Sequence, residues 1–166
     1  MKRILVLGSG GAGKSTITEE LHKILRLPII RLDEHYWHPG WVRPEHDEWE
    51  KKVQELIQNN EWIIDGNYQS TLYLRIPRAD AVIFMDAPRL VCLARLIRRR
   101  ITKPNTIVAP GCVERLDRKF MSYIWNYRKT HRPEIMEILE KYKNEKQIHI
   151  IRSEREMWKF LKTLKN

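Results

Sequence analysis

The stretch that decides the fold is RILVLGSGGAGKST, residues 3–16. Its first part, RILVL (3–7), is a short apolar run of the kind that forms a strand buried on both faces. The run leads directly into GxxxxGKS at residues 8–15, which is the spacing of a P-loop. Because residues 14–26 carry apolar side chains at helical spacing, the motif lies between a predicted strand and a predicted helix, as a P-loop requires.

The residue types of this loop suit a nucleoside triphosphate. Glycines let consecutive backbone N–H groups turn inward around an anion, and the start of the helix adds its positive dipole end. We expect Lys14 to reach the β- and γ-phosphates, Ser15 to give an oxygen to Mg²⁺, and Thr16 to bond the α-phosphate. The predicted ATP-binding residues are Gly8, Gly10, Gly11, Ala12, Gly13, Lys14, Ser15 and Thr16.

Length and composition indicate a globular chain. With 166 residues, of which 42% are hydrophobic, the sequence predicts one domain over 1–166. No run of about 18 apolar residues occurs, which argues against a transmembrane helix. Cys92 and Cys112 form no CxxC pair and are typical of reduced thiols. We therefore expect a cytoplasmic protein with no membrane partner.

Short apolar runs alternate with longer amphipathic segments along the chain. The later strands are predicted at IIRL (29–32), WIID (62–65), AVIFMD (81–86) and QIHII (147–151). Helices are predicted at 14–26, 44–58, 88–100, 113–143 with an interruption before Pro133, and 153–164, with loops at 33–44 and 102–111. This order indicates an α/β three-layer P-loop fold with a five-stranded parallel sheet. The helical segments between strands four and five are expected to form a lid-like insertion.

The P-loop alone does not decide the reaction, because GTPases, ATPase motors and small kinases share it. A GTPase usually carries an NKxD motif, which this sequence lacks, and a motor needs a longer chain. A small kinase needs an acceptor site after strand two, an acid near Mg²⁺ and cations that close over the phosphates. The sequence has a candidate for each.

The acceptor side is predicted at LDEHYWHPGW, residues 32–41. Asp33 lies just past strand two, where ligands bind in open α/β sheets, and can orient or deprotonate an acceptor hydroxyl. The alternative is a solvated loop acid or a helix cap. Tyr36, Trp37 and Trp41 form either a flat-faced pocket for a base or sugar, or a packing surface for the next helix.

Asp65 ends the third strand and precedes Gly66. We expect it to hold Mg²⁺ through water, beside Ser15, and the alternative is an acid that serves only the turn. Asp86 ends the fourth strand in the same way, with less reason to expect a role.

Four arginines are the predicted closing cations. Helical spacing places Arg95 and Arg99 on one face, and Arg128 and Arg132 on another within WNYRKTHRP. Guanidinium forks suit phosphoryl oxygens, so we expect these side chains to close over the transferring group. The alternative for each single arginine is a solvated surface position.

The positive charge is concentrated in the second half. The net charge is +10; residues 1–88 hold 11 Lys/Arg and 13 Asp/Glu, whereas residues 89–166 hold 20 and 8. Such an excess suits triphosphates, and it also suits nucleic acid. The alternative function is therefore an ATP-dependent nucleic-acid-binding regulator that uses the basic half as its contact face.

The motifs together resemble the bacterial DNA topology modulation protein family, which belongs to the adenylate-kinase-like P-loop proteins. The residues that carry this resemblance are GSGGAGKST, LDEHYWHPGW, WIIDGNY, VIFMDAP, APGCVERLDRKFMSYIWNYRKTHRP and HIIRS. The resemblance implies a five-stranded parallel sheet, ATP binding and kinase activity. The family's name also implies a link to DNA supercoiling, without a mechanism.

The sequence departs from adenylate kinase itself at the acceptor side. Asp65 and Gly66 match that enzyme's DGFPR segment, but Gln69 stands in the place of its arginine, which disfavours AMP as the acceptor. We therefore expect a small phosphotransferase of the nucleotide or nucleoside kinase type that uses ATP and Mg²⁺. Its acceptor is unidentified, and its charge predicts weak binding to nucleic acid. The predicted catalytic residues are Lys14, Asp33, Arg95, Arg99, Arg128 and Arg132, with Ser15 and Asp65 at the metal.

Overall fold

A computed structural model describes residues 1–165 of the protein, so Asn166 of the predicted domain lies outside the described residues. The strands are β1 (Arg3–Gly8), β2 (Ile29–Arg31), β3 (Trp62–Asp65), β4 (Ala81–Met85), β5 (Ile107–Ala109), β6 (Cys112–Val113) and β7 (Gln147–Ile151). Five of them form a parallel sheet in the order β2-β3-β1-β4-β7, and β5 and β6 form a separate antiparallel hairpin. The predicted five-stranded parallel sheet is confirmed.

Helices cover both faces of the sheet. They are α1 (Lys14–Leu25), α2 (Leu32–Tyr36), α3 (His46–Leu56), α4 (Leu72–Arg78) after a 3-10 turn (Gln69–Thr71), α5 (Arg89–Thr102), α6 (Arg118–Thr130), α7 (Arg132–Tyr142) and α8 (Glu154–Thr163). The segment between β4 and β7 holds α5, the hairpin, α6 and α7, which confirms a helical insertion there. Within residues 1–165, no helix is both long and apolar enough to cross a membrane.

The core consists of two layers because the side chains of β1 alternate between the sheet faces. Leu5 and Leu7 pack into a cluster with residues of α3, α4 and α7. Ile4 and Val6 pack into a second cluster with residues of α1, α5 and α8. Burial on both faces explains why β1 is a continuous apolar run, since each such side chain contributes about 1.5–3 kcal/mol.

Several local expectations differ from the structure. The predicted loop at 33–44 contains most of α2, and the predicted loop at 102–111 contains β5. The segment 66–80, for which the pattern predicts no element, contains the 3-10 turn and α4. These pieces have three to seven residues, which is too short for hydrophobic periodicity to be distinctive. Pro77 within α4 further hides a helical pattern.

The register of the sheet brings the candidate residues to one edge. Val6 pairs with Asp65 and Gly8 pairs with Met85, so β1 and β4 end at the same level and β3 ends two residues earlier, beside Val6. Arg31, the last residue of β2, also pairs with Asp65. The P-loop, Asp65 and the start of α2 therefore meet at the carboxyl edge, where ligands bind in open α/β sheets.

Candidate functional site

The glycine-rich loop joins β1 to α1 at the carboxyl edge of the sheet. Gly13 precedes α1 with a φ of 102° and has no side chain to cap the helix, so the first N–H groups remain available to an anion. The Lys14 ammonium donates to the backbone carbonyl of Ser9 at 3.1 Å and so lies across the loop. This arrangement supports the predicted roles of Gly8 to Thr16, which stay predictions.

Two helices of the insertion pack directly on this loop. A side chain at Gly10 would place its Cβ 2.9 Å from both Phe120 and Ile124 of α6. A Cβ at Gly11 would collide with the carbonyl oxygen of Cys92 in α5. These glycines therefore allow close approach of the insertion, a role that the P-loop pattern does not reveal.

Ser15 and Asp65 form the oxygen pair that the sequence predicts for a metal. Ser15 Oγ donates to Asp65 Oδ2 at 3.1 Å, and Asp65 is buried. Burial raises the pKa of the Asp65 carboxyl, while the nearby Lys14 ammonium and the Ser15 hydrogen bond act in the opposite direction. The hydroxyl and carboxylate oxygens fit a hard divalent cation such as Mg²⁺, whereas the free helix N-terminus beside them suits an anion such as a phosphate.

Asp33 lies on α2, not on an open loop as expected. Its Oδ1 accepts a hydrogen bond from the Tyr68 hydroxyl at 2.5 Å. Burial and the Asp33 charge both raise the pKa of Tyr68, so the phenol stays protonated and acts as a donor. Asp33 also lies close enough to Asp65 for its charge to raise the pKa of that carboxyl.

Asn67, two residues after Asp65, is a residue that the sequence analysis did not select. Its Oδ1 accepts the Gly8 N–H at 2.8 Å, and its Nδ2 donates to the Tyr127 hydroxyl at 2.9 Å. The side chain therefore links the start of the P-loop to α6. The motif DGNY contained the signal, since an asparagine after a strand-ending Asp-Gly has both a donor and an acceptor to offer.

Arg75 of α4 is a second residue that the sequence analysis missed. Its side chain is fully buried, and its guanidinium donates to the carbonyl oxygens of Gly66 at 3.0 Å, of Tyr68 at 2.7 Å, and of Asn67. Burial lowers the pKa of Arg75 to about 9. Nothing in LYLRIPR distinguishes this arginine from one on a helix surface, so no local signal was available.

Arg95 and Arg99 both lie on α5 but have different partners. Arg95 donates to the Ala12 carbonyl of the P-loop at 3.4 Å and to Glu154 at 3.1 Å. Arg99 instead pairs with Glu114, whose side chain is only 5% exposed, through an Nε hydrogen bond of 2.9 Å. The structure therefore brings Arg95 to the phosphate-binding loop, whereas Arg99 anchors the hairpin to α5.

Arg128 and Arg132 do not share one helix face, so that expectation was wrong. α6 ends at Thr130 and α7 begins at Arg132, where Pro133 cannot donate the backbone hydrogen bond that a continuous helix needs. Arg132 forms a bidentate pair with the buried Asp86, with distances of 2.8 and 2.9 Å, and this pairing raises the pKa of Arg132. Arg128 is exposed on α6.

A cavity of about 330 Å³ adjoins the P-loop next to the ends of β4 and β7. Arg95 lies on its wall beside several apolar side chains. Its lining includes Gly13, Thr16, Pro88, Ile151, Arg152 and Met157. A flat apolar group attached to a phosphate in the loop would fit a wall of this composition.

The aromatic residues of the acceptor segment divide between packing and exposure. Tyr36 packs against Trp49 of α3 and against Tyr68, with ring centroids 4.9 and 4.5 Å apart. Trp37 is partly exposed and lies between Tyr36 and Trp41. Tyr36 therefore packs on the next helix, whereas Trp37 and Trp41 retain accessible surface and the pocket for a base or sugar stays a prediction.

The hairpin of the insertion contacts the acceptor segment. The Gly40 N–H donates to the Gly111 carbonyl at 3.3 Å, and Cys112 Sγ donates to the His38 carbonyl at 3.2 Å. Pro39 packs against Gly111. The insertion therefore spans the carboxyl edge from the P-loop to the acceptor side.

No family model matches the chain. The ATP-dependent protease ATPase subunit HslU of Helicobacter pylori (strain Shi470) is 30% identical over 91 residues, which are 54% of this chain and 19% of that protein. The chain thus spans about a fifth of the length of the curated relatives that it matches first. Uncharacterized protein YqaC of Bacillus subtilis (strain 168) is 26% identical over 132 residues, 74% of this chain and 70% of that protein.

Among solved structures, shikimate kinase from Acinetobacter baumannii in complex with shikimate has a TM-score of 0.64 at 14% identity, covering 99% of this chain and 90% of that one. The protein therefore has a P-loop kinase fold. The resemblance to the DNA topology modulation family stays a prediction.

The contact between the hairpin and the acceptor segment can be tested with a matched pair of glycines. Gly40 and Gly111 have φ values of 82° and 72°, so alanine strains the backbone at either position. Only at Gly111 would the new Cβ also collide with Pro39, at 2.8 Å, because no atom lies within 4 Å at Gly40. We expect Gly111→Ala to lower the free energy of unfolding by about 1–3 kcal/mol more than Gly40→Ala.

Denaturant unfolding measures that difference, and hydrogen exchange locates it. Exchange in residues 107–113 should accelerate more in Gly111→Ala than in Gly40→Ala. Equal stabilities and equal exchange in the two variants would show that this contact does not hold the hairpin.

Proposed function

We propose that the protein is an ATP-dependent phosphotransferase that acts on a small hydroxyl-bearing acceptor. The single observation that carries this proposal is the pair of acidic centres flanking the P-loop. Asp65 lies against Ser15, where a metal-bound triphosphate is expected, and Asp33 lies on the acceptor side with Tyr68 as its hydrogen-bond donor. One carboxylate for the metal and one for an acceptor hydroxyl is the division of labour that phosphoryl transfer requires.

The donor nucleotide would be held by the loop and by the cavity beside it. Lys14 and the N–H groups at the start of α1 would bind the phosphates, and Ser15 and Asp65 would hold Mg²⁺. Mg²⁺ would neutralise the charge that develops on the phosphates. The base of ATP, the proposed donor, would enter the 330 Å³ cavity next to Gly13 and Thr16.

Transfer would proceed from the acceptor hydroxyl to the γ-phosphorus. Asp33 would accept the hydroxyl proton as the oxygen attacks, the bond between the γ-phosphorus and the bridging oxygen would break, and ADP would leave. Tyr68 would fix the orientation of the Asp33 carboxylate through its hydrogen bond. The exposed surfaces of Trp37 and Trp41 would contact a ring of the acceptor.

The arginines would contribute unequally. Arg95 already contacts the P-loop, so it needs the smallest movement to reach a phosphate. Arg132 would have to exchange Asp86 for a phosphoryl oxygen, which makes its contribution conditional on nucleotide. Arg99 would act through the hairpin that Glu114 attaches to it, and Arg128 would approach from the exposed face of α6.

The acceptor side disfavours AMP. Gln69, which stands where adenylate kinase has arginine, donates to the His131 carbonyl at 3.2 Å and to Glu134 at 2.9 Å. It is therefore engaged with the start of α7. The proposed acceptors are nucleosides, nucleotides of other types and sugars, and the proposed family is that of the DNA topology modulation proteins.

A screen of acceptors with MgATP, scored by ADP release, tests the proposed function. We expect one acceptor class to stimulate ADP release and Lys14→Ala to abolish the stimulation, because no other side chain of the motif can neutralise the β/γ-phosphates. Lys23→Ala is the matched control, since Lys23 lies exposed on the same helix and pairs with Glu20. Wild-type turnover in Lys14→Ala would contradict the P-loop assignment.

Substitution of Asp33 separates the acceptor role from nucleotide binding. We expect Asp33→Asn to lower kcat about 10²- to 10⁴-fold, the usual contribution of a positioned general base, with little change in the Kd of MgATP. Glu34→Gln, at the adjacent exposed carboxylate, should leave both values unchanged. Calorimetric titration gives the Kd; a loss of ATP affinity in proportion to activity would move Asp33 to the metal site.

A second function, nucleic-acid binding, is favoured by one specific observation. The Arg89 guanidinium stacks 4.0 Å above the ring of Trp125, which is 45% exposed, in the half of the chain that holds 20 Lys/Arg and 8 Asp/Glu. An exposed aromatic ring beside a cation suits a stacked base. Charge alone predicts weak duplex binding, with a Kd of about 10⁻⁴–10⁻⁶ M at physiological salt.

The two functions differ in how the insertion responds to nucleotide. If its arginines serve ATP, hydrogen exchange across residues 95–132 should slow when a non-hydrolysable ATP analogue binds, because a lid becomes ordered on closing. We expect this protection, together with weak DNA binding that falls steeply with salt. Submicromolar DNA binding at physiological salt, with no nucleotide-dependent protection, would favour the regulator instead.

A further inference from the structure

Arg75 donates to the turn that connects the predicted metal acid to the acceptor acid. This turn consists of Gly66, Asn67 and Tyr68, directly after Asp65. We infer that Arg75 is a positioning residue, which fixes this turn and thereby aligns the P-loop with Asp33. The inference rests on the proposed function, because alignment of these two centres matters only if a group passes between them.

Arg75 is buried so that its guanidinium can donate several hydrogen bonds to the backbone of this turn. Arginine is rarely fully buried, and its desolvation is compensated here by backbone carbonyls. Nη1 donates to Gly66 O at 3.0 Å, Nη2 donates to Tyr68 O at 2.7 Å and to Asn67 O, and Nε lies 3.4 Å from Thr71 O. A planar fork with fixed N–H directions can satisfy several consecutive carbonyls at once, which a lysine ammonium does less well.

The turn needs such support because of its backbone conformation. Tyr68 has a φ of 36°, in the left-handed region that residues with a Cβ disfavour. Gly66 packs so closely on Leu32 that a Cβ would lie 2.9 Å from the Leu32 Cβ. The guanidinium therefore holds a strained turn against the first residue of α2, next to Asp33.

Each side chain of the fixed turn reaches a different part of the site. Asn67 bonds to the Gly8 N–H at the start of the P-loop, at 2.8 Å. Tyr68 bonds to Asp33 at 2.5 Å. Movement of the turn would displace both contacts together. One buried guanidinium therefore fixes the position of the P-loop relative to Asp33.

Hydrogen exchange at single amides distinguishes positioning from general stabilisation. The Gly8 amide owes its protection to Asn67, whereas Leu5 and Leu7 lie within the central strand. In Arg75→Lys we expect exchange at Gly8 to accelerate by about tenfold, the equivalent of one weakened hydrogen bond, with Leu5 and Leu7 within about twofold of wild type. Equal acceleration at all three amides, or none at Gly8, would overturn the inference.

Arg78→Lys is the matched control. Arg78 lies on the same helix and also donates to carbonyls, those of Ile57 and Gln58, but it does not touch the turn. It should leave Gly8 exchange unchanged. In an Asn67→Ala background, Arg75→Lys should add no further acceleration at Gly8, since the bond through which it acts is gone.

The wild-type protein provides a measurement that does not depend on the variants folding. Its Arg75 Nη protons should give separate, slowly exchanging NMR signals with scalar coupling to the carbonyl carbons of Gly66 and Tyr68. A single averaged signal without such coupling would contradict the fixed geometry.

Once an acceptor is known, measurements of kcat provide a further test of the inference. Arg75→Lys should lower kcat at least about tenfold in wild type and less than about twofold in a Tyr68→Phe background. Additive losses would show that Arg75 does not act through Tyr68. If no acceptor supports turnover, the proposed function fails, while the amide measurements still decide whether Arg75 fixes the turn.

Discussion

The parallel register of β1 with β3 is the constraint on which the candidate site depends. Because Val6 pairs with Asp65, the strand that ends in the acid stops two residues before β1 runs into the P-loop. The first turn of α1 then lies over Asp65, and Ser15 can donate to it at 3.1 Å. A slip of one residue would turn every side chain of β3 to the opposite face and move Asp65 out of reach.

The insertion closes around this edge through small residues. Gly10 and Gly11 admit α6 and α5 to the P-loop, and the hairpin reaches the acceptor segment where Gly111 meets Pro39. Glu114, nearly buried, holds the hairpin to α5 through Arg99. Any opening of the site must therefore break apolar packing as well as these polar contacts, because Leu96 of α5 and Ile124 of α6 belong to the same core cluster as Val6.

The sequence alone predicted those features that depend on residues close together in the chain. β1, β3 and β4 are mainly apolar runs because both of their faces are buried. The P-loop and the acid that ends WIID predicted the contact between Ser15 and Asp65. Asn67, Arg75 and the bond between Arg132 and Asp86 were not predicted, since each depends on partners between 7 and 60 residues away in the chain. The hairpin was not predicted for the same reason, because its short strands are held by contacts with α5 and the acceptor segment.

Fewer positive charges of the second half are available to a ligand than its composition indicates, because several are paired with carboxylates. Three of the four arginines chosen from the sequence pair with carboxylates: Arg95 with Glu154, Arg99 with Glu114 and Arg132 with Asp86. A phosphate must therefore compete with an acid that already occupies the guanidinium, and the buried Asp86 is the strongest competitor because it bonds to Arg132 through both oxygens. Removal of Arg132 from Asp86 leaves an uncompensated buried charge, which costs several kcal/mol unless Arg152, 3.9 Å away, takes its place. If a bound nucleotide recruits Arg132, as proposed, its binding is coupled to the position of α7 through one carboxylate directly after β4.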